Sequence, residues 1–161
     1  MQLKEFNQNS IKILKDKTPN IYKPTLHITL PFFRLHKLLF EKGEFILKDK
    51  FNLTQSEVDV LSCLYYKDAN HILTPTQLYE FMLFSSGGMT KLLKKLEEKE
   101  LIKRVDSKED KRVKNVQLTK KGIDIMIRAL DRIISFEDDY FCKLDNKEQK
   151  EFARLLNKLL D

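Results

Sequence analysis

The chain has no tryptophan, only four glycines and four prolines, and two cysteines in 161 residues. So few turn formers leave little room for an all-β fold, which needs a turn every few residues. Cys63 and Cys142 do not make a disulfide framework. No apolar run approaches the ~20 residues that span a bilayer. No apolar stretch follows a basic start, so no secretory signal is expected. These absences point to a soluble, cytoplasmic protein without a membrane partner. Catalytic signatures are missing too. His27, His36 and His71 lack metal-ligand spacing with Cys63 or Cys142, and there is no His-Glu-x-x-His, Cys-x-x-Cys, Gly-x-Ser-x-Gly or phosphate-cradling loop. Asp138-Asp139 reads as part of a solvated helical face. Neither an enzyme, a metal nor a cofactor is expected.

What the chain has is a localised positive charge. Between Ser85 and Lys121 stand twelve Lys/Arg and six Asp/Glu, while the rest of the chain carries 18 of each sign. A surplus confined to one segment suggests a polyanion-binding surface. That segment reads as helix, turn, helix and hairpin. Thr74, Pro75 and Gln77 form a capping box with proline in the first turn. The helix they open carries Leu78, Phe81 and Met82 on one face. Ser85-Ser86-Gly87-Gly88 turns into a second helix, whose Met89, Leu92, Leu93 and Leu96 recur at helical spacing as a buried stripe. The opposite face carries Gly87, Thr90, Lys91, Lys94 and Lys95, and Ser86 and Gly87 sit where free N–H groups favour phosphate. A strand over Leu101–Val105, a polar turn over Asp106–Lys111 and a strand over Arg112–Leu118 make a two-stranded wing with Lys108, Lys111, Arg112 and Lys114 at or near its tip. This is the layout of a winged helix-turn-helix, which places one helix in the DNA major groove.

The same stretch resembles the MarR-type transcriptional regulators. The resemblance rests on Leu53-Thr54 with Glu57 and Val60-Leu61; on Leu73-Thr74-Pro75-Thr76-Gln77-Leu78; and on Ser85-Ser86-Gly87-Gly88-Met89-Thr90. It extends through Leu96-Glu97, Leu101-Ile102-Lys103-Arg104, Asp110-Lys111-Arg112 and Val116-Gln117-Leu118-Thr119-Lys120-Lys121-Gly122. It covers roughly residues 30 to 160. It implies a dimeric DNA-binding repressor, released by small phenolic ligands or by thiol oxidation. It further implies that Asp110 and Arg112 pair across the wing tip, with Arg112 reaching the minor groove. One departure is Glu100, where the family usually has glycine in the turn between recognition helix and wing. The Ser-Ser-Gly-Gly-Met-Thr form is most similar to the branch with urate-responsive members. That branch's ligand set includes a tryptophan, so urate is not carried over.

The fold class expected is mainly α with a small β-wing (α+β): a winged helix-turn-helix flanked by N- and C-terminal dimerisation helices. Residues 1–52 form an N-terminal extension and dimerisation helix, 53–121 the DNA-binding lobe, and 122–161 the C-terminal dimerisation helices. Residues 1–23 give a poor helical stripe broken at Thr18-Pro19-Asn20. Pro31 is placed to open a long helix to about Lys50, with Phe32, Leu35, Leu38, Leu39, Phe45 and Ile46 available for burial. Thr54/Glu57 and Asp145/Glu148 are two more capping boxes. The first opens a helix carrying Val58, Leu61, Leu64 and Tyr65. Thr119 caps a helix running to about Phe141, on the order of 30–35 Å long at ~1.5 Å per residue. Its apolar residues and the Phe152–Leu160 stripe would lie exposed without a partner, which points to a two-fold homodimer reading a pseudo-palindromic operator in double-stranded DNA. The resemblance puts a ligand pocket between the dimerisation helices and the DNA-binding lobe. Tyr22, His27, Phe32, His36 and Tyr65, with Phe33 and Tyr66 beside them, are available to line it for a small aromatic or phenolic effector. Two alternatives stay open: a redox sensor of the same fold using Cys63 or Cys142, and a winged-helix protein-interaction module. The lysines at 91, 94 and 95 weigh against the latter.

Overall fold

A computed structural model describes residues 3–82, 86–107 and 114–160. Its contacts divide the chain into two units, Met1–Lys42 and Gly43–Asp161. Among the described residues no helix is long and apolar enough to cross a membrane.

The first unit holds helix α1 (Leu3–Lys17) and the start of α2 (Leu26–Phe51). The N-terminal segment, expected to be a poor and broken helix, is a regular one as far as Lys17. It stops where expected, because a residue before proline is driven away from helical ψ, and Thr18 closes the end by donating Oγ1–H to the Leu14 carbonyl at 3.0 Å. Pro31 does not open α2. The helix starts five residues earlier, wound in by tight bonds from Leu26 N to Lys23 O, His27 N to Pro24 O and Ile28 N to Thr25 O. Pro31 therefore lies inside the helix, and its missing N–H leaves the His27 carbonyl without a helical donor. Phe32, Phe33 and Phe40 are exposed.

The second unit is built round α3 (Gln55–Lys67), which touches α4 (Pro75–Met82), α5 (Ser86–Glu98), α6 (Lys120–Phe141) and the sheet. Val58, Val60, Leu61 and Leu64 are all essentially inaccessible, so α3 buries one broad face, wider than the stripe of Val58, Leu61 and Leu64, and leaves Asp59, Tyr66 and Lys67 exposed on the other. Each such side chain contributes roughly 1.5–3 kcal/mol by leaving water. Leu47, Leu53, Leu73, Leu78, Leu93, Leu96, Val116 and Met126 complete the core. Two aromatics expected inside are outside: Phe45 is exposed, and Phe81 is exposed beneath the Lys67 ammonium, 4.6 Å from its ring centre. The place expected for Phe45 is taken by Leu47 and Gly43, the buried residues of α2.

The two strands expected for the wing are present, and a third, short strand from before α4 joins them in one sheet. Strand β1 (Ile72–Leu73) pairs antiparallel with β3 (Lys114–Leu118), which pairs with β2 (Ile102–Asp106) in the order β1-β3-β2. The register sets Leu73 opposite Val116 and Arg104 on its other side. The chain enters β1 through His71, at φ 59°, with the Asp68 carboxylate accepting from the N–H groups of Asn70 and Ile72. After β3, Thr119 caps α6 by accepting from Gly122 N. The last helix, α7 (Asn146–Lys158), opens on the Asp145/Glu148 box and has no buried residue. It meets α6 through Phe152 and Phe141, ring centres 6.3 Å apart, while Leu155, Leu159, Leu160 and Ile134 stay exposed.

Candidate nucleic-acid interface

Helices α4 and α5 form the helix-turn-helix. In the α4 box Thr74 N donates to Gln77 Oε1 at 2.8 Å and Gln77 N to Thr74 Oγ1 at 3.1 Å. Pro75, in the first turn, loses no helical bond. In α5 Met89, Leu93 and Leu96 are buried and Leu92 half-buried against the core, so the opposite face is turned to solvent. Thr90, Lys91, Lys94 and Lys95 are exposed on it. Lys94 lies 3.9 Å from Glu98 one turn on, both side chains solvated, a pair worth little. Ser86 and Gly87 form the first turn as backbone; Ser85 lies outside the described residues.

The far end of α5 sets how the wing leaves the helix. Glu100 N donates to Glu97 O at 2.9 Å and Leu101 N to Leu96 O at 3.0 Å. This double bond pattern is a Schellman stop, whose C′ residue must be left-handed and is usually glycine. Glu100 fills it at φ 61°. The departure from glycine therefore leaves the turn sharp and strains the residue that makes it. Leu96 and Leu101, both buried, supply the hydrophobic contact that accompanies such a stop. Lys121 Nζ donates to Glu100 Oε2 at 2.9 Å, and this bond holds the Glu100 carboxyl below the ordinary glutamate range. Glu100→Gly is expected to raise the melting temperature by removing the left-handed Cβ, although glycine's freedom in the unfolded chain offsets part of the gain. Glu100→Ala, which keeps the Cβ and loses the Lys121 bond, should lower it. Thermal melts of the two variants check this, and identical melting for Glu100→Gly and wild type would mean the Cβ costs nothing here.

The base of the wing is held by charge. Lys114 pairs with Asp106 across β2 and β3, in the register that sets these two residues opposite. Arg104 reaches Glu97 of α5 at 3.7 Å and so ties strand to recognition helix. Lys103 is exposed. Lys108, Asp110, Lys111 and Arg112, the expected wing-tip residues, lie outside the described residues.

The residues available for a ligand do not form one described group. Tyr22 Oη and His27 Nε2 lie 3.4 Å apart, and His36 stacks on Phe40 with ring centres 6.0 Å apart. Phe32 meets Phe33 edge-on at 5.7 Å. Tyr65 belongs to the second unit and stacks on His71 at 4.8 Å, with Tyr66 against its edge. Neither thiol sits in an activating setting. Burial pushes the Cys63 thiol up, against a weaker pull from Lys67, and the exposed Cys142 donates its S–H to the Asp139 carbonyl at 3.1 Å.

One junction was not anticipated. Glu57, expected as a capping residue only, is 3% exposed. Its Oε2 accepts from Thr54 N at 2.8 Å, closing the capping box, and its Oε1 accepts from Lys99 Nζ at 2.7 Å. The same ammonium donates to the Asn52 carbonyl at 2.7 Å. Asn52 ends α2 in the left-handed region at φ 52°. Lys99 thus joins the end of α2, the start of α3 and the end of α5. A lysine just past a helix end is the sole sequence signal, and it does not name its partners.

Comparison with known proteins agrees with this geometry. Residues 53–114 match the model of the MarR family. Over 110 residues, 68% of this chain and 74% of the relative, the sequence is 38% identical to the HTH-type transcriptional regulator MhqR of Bacillus subtilis (strain 168). It is 24% identical to the HTH-type transcriptional regulator PecS of Dickeya dadantii (strain 3937) over 76% of this chain and 74% of that protein. The fold is similar to that of AbsC, a MarR family transcriptional regulator from Streptomyces coelicolor, with a TM-score of 0.73 at 18% identity over 86% of this chain and 93% of the other. With a helix-turn-helix, a wing and a recognition helix of matching sequence, the chain belongs to the MarR family of DNA-binding transcriptional regulators.

Proposed function

We propose that the protein is a repressor that binds a pseudo-palindromic operator as a symmetric homodimer and is released by a small aromatic or phenolic effector. The observation that carries the reading is the solvent face of α5, where Thr90, Lys91, Lys94 and Lys95 stand opposite the buried Met89, Leu93 and Leu96. A helix presenting lysines in this way fits the major groove, where a basic side chain reaches guanine O6 and N7 or a backbone phosphate. Ser85, Ser86 and Gly87 would bring the start of α5 to a phosphate, and Lys108, Lys111, Arg112 and Lys114 would follow the backbone beside the wing. Arg112, with Asp110 as its partner, would enter a narrow minor groove. A gel shift on duplex DNA across a salt series tests this: affinity should fall steeply with salt, with a slope that counts the phosphates neutralised.

The dimer is supported by the apolar residues that α6 and α7 leave exposed, Ile134, Leu155, Leu159 and Leu160. A two-fold axis lets one such patch cover itself. Light scattering at micromolar concentration should report about twice the 19.2 kDa chain mass. Leu159→Glu, at a position 78% exposed in the single chain, should shift the mass toward one chain without unfolding it. A mass of one chain for the wild type would overturn the dimer.

Tyr22, His27, Phe32 and His36 of the first unit and Tyr65 of the second are the residues we assign to the effector. Their rings and the Tyr22–His27 pair suit an aromatic ligand with a polar edge. The raised Cys63 thiol supports a ligand over an oxidant as the releasing signal.

A further inference from the structure

The junction held by Lys99 also borders an open cleft of about 390 Å³, lined by Lys48, Asn52, Leu53, Thr54, Glu57, Lys95, Glu98 and Lys99. That volume is within the range that holds a small ligand. Three ammonium groups from separate stretches of chain face it: Lys48 from α2, Lys95 from α5, and Lys99 from the turn after α5. Lys99 is occupied by Glu57 and the Asn52 carbonyl. Lys48 and Lys95 are exposed and have no ion-pair partner among the described residues. Of the two carboxylates on the cleft, Glu57 is engaged by Lys99, and Glu98 stands solvated 3.9 Å from Lys94. Thr54 adds a hydroxyl that accepts from Glu57 N and keeps its own proton to donate. The 13-residue helix α3 starts here, and its dipole adds positive potential.

We propose that this cleft binds a small free anion bearing a phosphate or carboxylate group, held by Lys48 and Lys95 with Lys99 and the Thr54 hydroxyl beside it. Lys48 and Lys95 supply uncommitted positive charge on the same cavity, and the Glu57 and Glu98 carboxylates restrict the occupant to a compact anion on the lysine side. Lys95 lies nine residues after Ser86, about 14 Å along α5 at the helical rise. The N-terminal residues of a recognition helix are the ones that meet base edges. The cleft is therefore distant from that end, and a free ligand suits it better than a groove does. None of the residues that line the cleft is among the aromatic residues assigned to the effector.

Amide NMR on the full chain tests it, titrating inorganic phosphate against chloride at constant ionic strength. Saturable shifts at residues 54–57 and 95–99 with phosphate alone are expected. They should disappear in the Lys48→Ala/Lys95→Ala variant, whose remaining spectrum should match wild type because both side chains are solvated and unpaired. Equal shifts with chloride, or saturation that persists in the double variant, would overturn the site. A duplex DNA arm separates the two sources of phosphate. If DNA displaces inorganic phosphate from these amides and Lys48→Ala lowers the salt slope of DNA binding by about one, the group bound is a backbone phosphate and the free-ligand proposal fails. If Lys48→Ala leaves the slope unchanged while abolishing phosphate shifts, the proposal stands. Lys95 is shared with the DNA-binding reading, but Thr90, Lys91 and Lys94 carry that reading without it, so it stands or falls on the Lys91→Ala/Lys94→Ala result whichever way the phosphate titration goes.

Discussion

Gly122→Ala should cost about 3 kcal/mol of stability, the upper end of what overpacking a core position does. A Cβ at this position would lie 2.0 Å from the Leu101 carbonyl oxygen and 2.9 Å from its carbon. Backbone, unlike the end of a flexible side chain, has no rotamer into which it can retreat. The Leu101 carbonyl is also held in place, since it accepts from Thr119 N at 3.1 Å. Thr119 in turn caps α6 and donates to the Glu100 carbonyl at 2.8 Å. Moving Leu101 aside would disturb the stop of α5, the first strand of the wing and the cap of α6 together. Gly43→Ala is the matched control: its Cβ would meet only Ile133 Cδ1 at an ordinary 3.5 Å. Within a helix that exchange should be neutral or stabilising by about 0.5–1 kcal/mol. Denaturant titration measures both, and a Gly122→Ala midpoint equal to wild type would mean that α6 shifts freely from the wing.

The second large effect is on DNA. Lys91→Ala with Lys94→Ala should weaken operator binding by about 100-fold, from about 1.4 kcal/mol per lost contact. Both side chains are exposed, and the one ion pair they make among the described residues, Lys94 with Glu98, is solvated, so melting should stay at the wild-type value. The mode of loss distinguishes the contacts. A lysine on a phosphate weakens all sequences alike and lowers the magnitude of the salt slope by about one. A lysine on a base discriminates, so a mismatch that costs about 1–3 kcal/mol in wild type costs much less in the variant. Arg112→Ala should act most on sites flanked by A-tracts, where the minor groove is narrow. Undiminished binding after all three substitutions, to operator and random duplex alike, would show that this surface does not hold DNA.

The parts that were legible in the sequence are those written in neighbouring residues. Thr54/Glu57, Thr74/Gln77 and Asp145/Glu148 announce helix starts three residues apart, and each closes as a box. Met89, Leu93 and Leu96 orient α5, and with it the exposed lysines. What was not legible depends on distant partners or on competing local signals. Strand β1 has two residues, too few for alternation to register, and exists because β3 offers it a free edge. Pro31 is a good helix opener, but the turns round Pro24 and Thr25 start α2 first. Glu57 and Lys99 stand 42 positions apart, and nothing local connects them. At Glu100 the turn was legible only through the resemblance, because glycine, its usual local signal, is missing and the left-handed φ has no mark of its own.

The chain makes no left-handed turn with glycine. Asn52, His71 and Glu100 occupy all three such positions among the described residues, at φ 52°, 59° and 61°. They are where α2 ends, β1 begins and α5 gives way to the wing. Selection removes variants that fall below the stability a protein needs and does not reward a surplus. A lineage that tolerates side chains at these corners stands closer to that threshold than its core of leucines suggests. It also keeps a reserve for adaptation to heat, because each corner is one substitution from glycine and none of the three lies on the lysine-bearing face of α5.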